Sequence, residues 1–114
     1  MTKAELYERL KKAFGVAEIH SEYGMTEMLS QAYGCSGKMN CPPWMKVLLR
    51  DETDPFFILE PPSSGAINII DLANVYSCSF IATDDVGKLY PDKSFEVLGR
   101  MDGSDLRGCS LLTV

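Results

Sequence analysis

The stretch that decides the fold is residues 56–83, which read FFILEPPSSGAINIIDLANVYSCSFIAT. Its apolar runs are only a few residues long, and clusters of Pro, Gly, Ser, Asn and Asp separate them. Short runs bounded by such turn-forming residues are typical of β-strands. The same pattern continues on both sides of this stretch and predicts strands at 44–50, 56–59, 66–71, 78–83, 95–98 and 106–112. The second half of the chain is therefore predicted to form a small antiparallel β-barrel-like unit.

The N-terminal segment has a different periodicity. Residues 3–14 carry apolar side chains at every fourth position, which predicts an amphipathic helix. Thr2 and Glu5 are spaced as a capping box before this helix, and Gly15 stands where a left-handed C-terminal cap would lie.

The next two elements are predicted from a further change of pattern. Residues 17–23 alternate in polarity and predict a half-buried strand. Residues 26–33 return to helical spacing, with Thr26 as N-cap and Gly34 as the stop, and predict a short helix. The fold class predicted for the whole chain is therefore mixed α+β.

Composition limits the size of the unit and its class. The chain has 114 residues, of which 46% are hydrophobic and 24% charged, and its formal net charge is -5. A chain of this length buries roughly two-thirds of its unfolded surface, which is enough for one hydrophobic core. Residues 1–114 are therefore predicted to form a single unit. The 11 Lys and Arg residues form no basic stripe among the 16 Asp and Glu residues, so no nucleic-acid partner is expected.

The sequence shows neither a membrane segment nor a metal-binding cysteine motif. No apolar run approaches the roughly 18–20 residues of a membrane span, and the charged helical start differs from a signal peptide. We therefore expect a cytoplasmic protein. The cysteines are widely spaced and accompanied by a single histidine, His20, a pattern that does not favour zinc and predicts free thiols. The four cysteines are Cys35, Cys41, Cys78 and Cys109.

Residues 23–27 join the predicted strand to the predicted short helix and form a candidate binding site. A helix N-terminus presents unpaired N–H groups and the positive end of a dipole. The Thr26 hydroxyl and the Tyr23 ring could hold a phosphate and a flat base there, with Mg2+ bridging the phosphate to Glu27. The alternative is simple capping of a helix by Thr26, without a ligand.

Residues 23–27, YGMTE, resemble the YG-x-TE motif of the acyl-adenylate-forming enzyme superfamily. Two further strings follow in the family's order. Residues 83–89, TDDVGKL, resemble its TGDLGRL-type segment, with Asp84 in place of glycine, and residues 99–102, GRMD, resemble its GRxD segment. The resemblance covers most of the chain.

This resemblance implies a site for ATP or AMP and for Mg2+. It implies that Tyr23 stacks on adenine, that Thr26 contacts the α-phosphate, and that Glu27 reaches the metal ion. It further implies that Asp85 accepts hydrogen bonds from both ribose hydroxyls and that Arg100 approaches the ribose or a phosphate, roles that suit a carboxylate and a guanidinium. The implied cofactor-binding residues are Tyr23, Gly24, Met25, Thr26, Asp85 and Arg100, and the implied metal ligand is Glu27.

Each of these residues could also have a purely structural role that involves no ligand. Asp84, Asp85 and Gly87 together would make a good β-hairpin turn. Arg100 could form a surface ion pair with Asp102.

Within the superfamily, the chain resembles the acyl-protein synthetases. Residues 99–109, GRMDGSDLRGC, are similar to the end of that branch, where a cysteine near the C-terminus accepts the acyl group. The implied reaction is attack of a carboxylate on the α-phosphate of ATP, then acyl transfer from the acyl-adenylate to a thiol. Thr26, Glu27 and Cys109 are the implied catalytic residues. The alternative for Cys109 is a position in the core of the last strand.

Parts of the family pattern do not occur in this sequence. No Ser/Thr/Gly-rich phosphate loop precedes the YGMTE string, and no lid with an adenylation lysine follows Asp102. We therefore expect a C-terminal portion of a larger synthetase, inactive alone, in which 1–34 complete the nucleotide-site α/β part and 35–114 form a β-rich subdomain. The implied partners are a fatty or aryl carboxylic acid and either the N-terminal part of the same enzyme or a reductase-like acyl acceptor.

Two other functions remain open. A phenylacetate-CoA-ligase-like fragment would pass the acyl group to coenzyme A. A non-catalytic nucleotide-binding or interaction module would bind without catalysis.

Overall fold

The computed structural model describes residues 1–101, which form one α-helix and eight β-strands. All strand pairings are antiparallel, and the spatial order of the single sheet is β1-β2-β3-β8-β7-β6-β4-β5. This confirms the predicted α+β class with an antiparallel β-rich unit. The elements are α1 (Lys3–Phe14), β1 (His20–Tyr23), β2 (Ala32–Cys35), β3 (Lys38–Asn40), β4 (Met45–Arg50), β5 (Ile58–Leu59), β6 (Ser63–Asp71), β7 (Phe80–Leu89) and β8 (Phe95–Arg100).

The first helix has the predicted bounds and caps. Thr2 Oγ1 accepts a hydrogen bond from the Glu5 backbone N–H at 3.2 Å, and Glu5 Oε2 accepts one from the Thr2 N–H at 2.8 Å. Gly15 ends the helix with a φ of 65°, in the left-handed region that favours glycine. None of the helix residues is fully buried, although the Lys3 ammonium donates to the carbonyl of Val97.

The prediction of a short helix at 26–33 is wrong. Thr26 lies in a turn, and the N–H groups of Leu29 and Ser30 donate to the carboxylate of Asp71 rather than to carbonyls one helical turn earlier. Strand β2 then takes up the end of the segment, where it pairs with both β1 and β3. Long-range partners therefore replace the local hydrogen bonds that a helix requires.

The predicted strands of the second half occur within residues 1–101, with changed bounds. β6 begins at Ser63, inside the Pro, Ser and Gly cluster expected to separate the strands 56–59 and 66–71, and β7 continues to Leu89. Residues 83–87 therefore lie within a strand. The alternative that Asp84, Asp85 and Gly87 form a β-hairpin turn is wrong. The predicted strand 106–112 lies outside the described residues.

The sheet curls strongly but does not close. β1 and β7 are separated by three strands in the sheet, yet the Tyr23 hydroxyl donates to Asp85 on β7. β1 and β5 remain as the two edges. The concave side holds the apolar core, whose largest fully buried apolar side chains are Phe95, Leu49, Ile67 and Ile69.

Within residues 1–101, the helix found is too short and too polar to cross a membrane.

Candidate functional site

The centre of the candidate site is the carboxylate of Asp85, in the middle of β7. Asp85 is 7% exposed, and its two oxygens have different partners. Oδ2 accepts a hydrogen bond from the Tyr23 hydroxyl at 2.7 Å, and Oδ1 lies 3.8 Å from Nη1 of Arg100. The backbone N–H of Asp85 donates to Thr83 Oγ1 at 3.1 Å. A buried carboxylate with so few donors retains unused acceptor capacity.

Tyr23 is the last residue of β1 and lies almost wholly inside the protein. Its ring packs edge-on against Phe95, with the ring centroids 5.6 Å apart and the planes at 81°. Burial raises the pKa of the Tyr23 hydroxyl, and the hydrogen bond to Asp85 and its negative charge raise that pKa further. The hydroxyl therefore stays protonated and acts as a donor to Asp85.

Arg100 reaches the site because it is the cross-strand partner of Asp85 in the β7–β8 pairing. Its Nη2 lies 3.5 Å from Asp84 Oδ2, so one guanidinium is shared by two neighbouring carboxylates. Both contacts are longer than the 2.7–2.9 Å typical of strong charged hydrogen bonds. Within residues 1–101 the buried Nε of Arg100 has no hydrogen-bond partner. The guanidinium can therefore still donate to another acceptor.

A bulge in β7 carries Asp85, the central residue of the site. The register of β6 and β7 shifts around Ile67, so residues 83–85 stand opposite one residue of β6. The carbonyl of Ile67 is satisfied instead by Thr83 Oγ1 at 2.9 Å and by Nη1 of Arg50 at 3.2 Å. Nη2 of Arg50 also donates to the carbonyl of Thr83 at 2.6 Å. These side chains replace the lost ladder hydrogen bonds and hold the bulge that carries Asp85.

The predicted residues Thr26 and Glu27 lie on the turn that follows Tyr23, and both are exposed. No hydrogen bond or ion pair within residues 1–101 joins either side chain to Asp85 or Arg100. The helix N-terminus predicted at Thr26 is absent, because this segment forms a turn and not a helix. Gly24 is exposed on the same turn, and Met25 packs partly against the core.

Two residues that the sequence analysis missed attach this turn to the sheet. Asp71, 0% exposed, accepts hydrogen bonds from the backbone N–H groups of Leu29 at 3.0 Å and Ser30 at 2.9 Å. The Asn74 side chain donates to the carbonyl of Glu27 at 2.7 Å. Arg50 was missed as well, because a single arginine at the end of an apolar strand is an ordinary sequence feature.

The structure thus brings together three of the predicted cofactor-binding residues, Tyr23, Asp85 and Arg100. Thr26 and Glu27 lie on the exposed turn that follows Tyr23. Cys109, the predicted acyl acceptor, lies outside the described residues.

Searches with the sequence find no matching protein-family model and no matching curated protein. Solved structures do match. An ATP-bound chimera of RpMatB and BxBclM superposes with a TM-score of 0.67 and 18% identity, covering 86% of this chain and 23% of that chain.

Two further solved structures show the same similarity. The luciferase-like enzyme from the nonluminescent mealworm Zophobas morio has a TM-score of 0.61, 20% identity, and coverage of 88% of this chain and 29% of its own. The O-succinylbenzoate coenzyme A synthetase MenE from Bacillus subtilis, in complex with AMP, has a TM-score of 0.58, 22% identity, and coverage of 86% and 30%.

These proteins are adenylate-forming enzymes, and residues 1–101 have the fold of one part of them. The resemblance noted in the sequence is thereby confirmed at the level of the fold. The chain spans less than a third of the length of each of these proteins.

Proposed function

We propose that this chain is the C-terminal portion of an ATP-dependent, carboxylic-acid-activating ligase of the acyl-protein synthetase type. The observation that carries the proposal is the Tyr23–Asp85–Arg100 constellation in a fold that adenylate-forming enzymes share. In this proposal, the constellation binds the nucleoside part of ATP.

Asp85 supplies the acceptor for the ribose. A carboxylate can accept several hydrogen bonds, and only the Tyr23 hydroxyl makes a short one to it within residues 1–101. Ribose hydroxyls can donate to the acceptor positions of this carboxylate that Tyr23 does not use, and in this proposal adenine lies beside the Tyr23 ring. Arg100 has spare donors for the ribose or a phosphate oxygen, and it offsets part of the charge of Asp84 and Asp85.

Glu27 and Thr26 serve the phosphate side of the site in this proposal. The Glu27 carboxylate is exposed and has no partner within the described part of the chain, and an oxygen ligand of this kind suits Mg2+, which binds few carboxylates and several waters. When bound, Mg2+ would neutralise charge on the phosphates. Asn74 and Asp71 hold the backbone of this turn in place, and the side chains of Thr26 and Glu27 are exposed to solvent.

The proposed chemistry has two steps. A substrate carboxylate oxygen attacks the α-phosphorus of ATP, the bond to the β-phosphate oxygen breaks, and acyl-adenylate and pyrophosphate form. A thiol then attacks the acyl carbon and loses its proton to solvent, the bond between the acyl carbon and the phosphate oxygen breaks, and a thioester and AMP form. We assign this thiol to Cys109 and the substrate to a fatty or aryl acid.

Exposed apolar side chains within residues 1–101 support the proposal that another portion of the enzyme packs against this chain. Phe56 is 94% exposed, Val75 67%, Tyr76 103% and Phe80 69%. Large exposed apolar groups of this kind are common where another protein surface packs. The N-terminal part of the same enzyme is the partner that we propose.

Titration with AMP and with an analogue that lacks both ribose hydroxyls tests the site. AMP and 2′,3′-dideoxy-AMP are titrated by calorimetry into the wild-type chain and into Asp85→Asn, with Asp54→Asn as the surface control. If Asp85 accepts the ribose hydroxyls, wild type binds AMP about tenfold or more tighter than the dideoxy form, because hydrogen bonds to charged groups contribute about 1.5–3 kcal/mol. Asp85→Asn should lose this preference, and Asp54→Asn should keep it. A preference that survives in Asp85→Asn refutes the assignment.

Exchange of pyrophosphate into ATP then separates the functional alternatives. Acid-dependent exchange supports the ligase, whereas nucleotide binding without exchange, also after addition of the preceding portion of the enzyme, supports the module. Acyl label that survives denaturation and disappears in Cys109→Ser supports the acyl-protein synthetase type. Label found only on coenzyme A supports the CoA-ligase type.

A further inference from the structure

Three different metal-binding side chains meet at the edge of the sheet where β1 pairs with β2. One donor atom each from Glu18, His20 and Cys35 lies within 4.8 Å of the other two. His20 and Cys35 are cross-strand partners, and Glu18 lies two residues before His20, just ahead of β1. Tyr23, three residues further along, faces the buried side. This cluster is therefore separate from the candidate nucleotide site.

The distances between these donor atoms are close to those around a tetrahedrally coordinated zinc ion. Zinc bonds of about 2.0–2.3 Å at tetrahedral angles place donor atoms about 3.3–3.8 Å apart. His20 Nε2 and Glu18 Oε2 are already 3.5 Å apart. The Cys35 sulfur needs to approach them by about 1 Å at most to reach such geometry. Side-chain rotation can supply this movement, because the side chains of His20 and Glu18 are 62% and 67% exposed.

We propose that Glu18, His20 and Cys35 form a binding site for a borderline-soft divalent cation, with Zn2+ as the preferred ion. A thiolate and an imidazole select such an ion over Mg2+ and Ca2+, which prefer oxygen ligands only. Three protein ligands leave the fourth tetrahedral position to water. Cys35 is a free thiol in the structure, so it loses its proton to solvent when the ion binds.

The sequence does not reveal this site because its spacing resembles no zinc motif. Cys35 is fifteen residues beyond His20 and reaches it only through the antiparallel register of β1 and β2. The proposal does not depend on the proposed ligase function, since no residue of the nucleotide site takes part.

A titration with the metal alone tests this proposal. Calorimetry with Zn2+ on the reduced full chain should give one ion per chain, and Co2+ should give a thiolate-to-cobalt charge-transfer band. Cys35→Ser and His20→Asn should each weaken Zn2+ binding by about tenfold or more and Cys35→Ser should abolish the band. Two matched controls, Cys78→Ser with an exposed cysteine and Glu22→Gln with a glutamate on β1, should bind like wild type.

Several results would overturn the proposal. These are no binding at one equivalent, unchanged binding in Cys35→Ser, or an equal loss in Cys78→Ser. Circular dichroism of the metal-free variants shows whether they fold. If a β1 or β2 variant does not fold, Glu18→Gln decides, because Glu18 precedes β1 and makes no ladder hydrogen bonds. Displacement of Zn2+ by an equal concentration of Mg2+ would also refute the assigned ligand chemistry.

Discussion

Replacement of Asp71 by asparagine should strongly destabilise the fold and release the turn that carries Thr26 and Glu27. Asp71 Oδ2 accepts from the N–H groups of Leu29 and Ser30 at 3.0 and 2.9 Å, and Oδ1 accepts from Ser30 Oγ at 2.7 Å. Oδ1 also accepts from a fourth donor, the N–H of residue 73, at 3.1 Å.

The expected magnitude follows from the geometry of the amide. Whichever oxygen becomes the NH2 group of asparagine, two of the four donors lose their acceptor. Hydrogen bonds to charged groups contribute about 1.5–3 kcal/mol each, so the loss of two of them in Asp71→Asn should lower the free energy of unfolding by about 3–6 kcal/mol. This is a large part of the stability of a typical small domain.

The effect should depend on pH. Burial alone would raise the pKa of Asp71, but the hydrogen bonds from Ser30, Ala73 and Leu29 outweigh it and hold that pKa below its usual range. The stabilisation from Asp71 is therefore present above the unfolded-state pKa of about 3.9 and is lost as the pH falls through the lower folded-state pKa. The difference between wild type and Asp71→Asn should shrink in strong acid.

Urea unfolding followed by tryptophan fluorescence measures this effect directly. Trp44 is the one tryptophan of the chain, and its Nε1 donates to Ser30 Oγ at 2.7 Å, so it reports on the same network. Asp51→Asn is the matched control, since Asp51 accepts from Thr53 and Asp54 in a surface turn and should change stability far less. A loss of less than about 1 kcal/mol in Asp71→Asn, or an equal loss in Asp51→Asn, would refute the reasoning.

Three further predictions concern packing and titration. Gly87→Ala should destabilise the chain by about 1–3 kcal/mol in urea unfolding, because a Cβ there would lie 2.7 Å from the backbone carbonyl oxygen of Glu96 and 2.7 Å from Ile67 Cδ1. An unchanged unfolding midpoint would contradict this. Burial raises the pKa of the Cys41 thiol to about 11, so iodoacetamide at pH 8 should label Cys41 more slowly than exposed Cys78, and similar rates by mass spectrometry would be contrary evidence. Because the pKa of Tyr23 is raised in the folded state, the free energy of unfolding should fall as the pH rises above about 10. If a Tyr23→Phe variant shows the same alkaline decline, Tyr23 does not contribute to it.

The sequence alone predicted the elements whose hydrogen bonds or burial patterns are local. The helix Lys3–Phe14 has both of its caps within a few residues, and the strands of the second half carry alternating or short apolar runs between turn residues. Local chemistry of this kind is readable from spacing. The motif resemblance also selected Tyr23, Asp85 and Arg100, which the fold then places in contact.

Tertiary contacts decided the rest. The segment 26–33 has helical spacing, but a carboxylate more than forty residues away takes its N–H groups, and strand pairing takes its end. The bulge at 83–85 is stable because Arg50, distant in sequence, satisfies the carbonyls that it frees. Neither interaction leaves a local signal, because each depends on how strands that are far apart in the chain are brought side by side by the curled sheet.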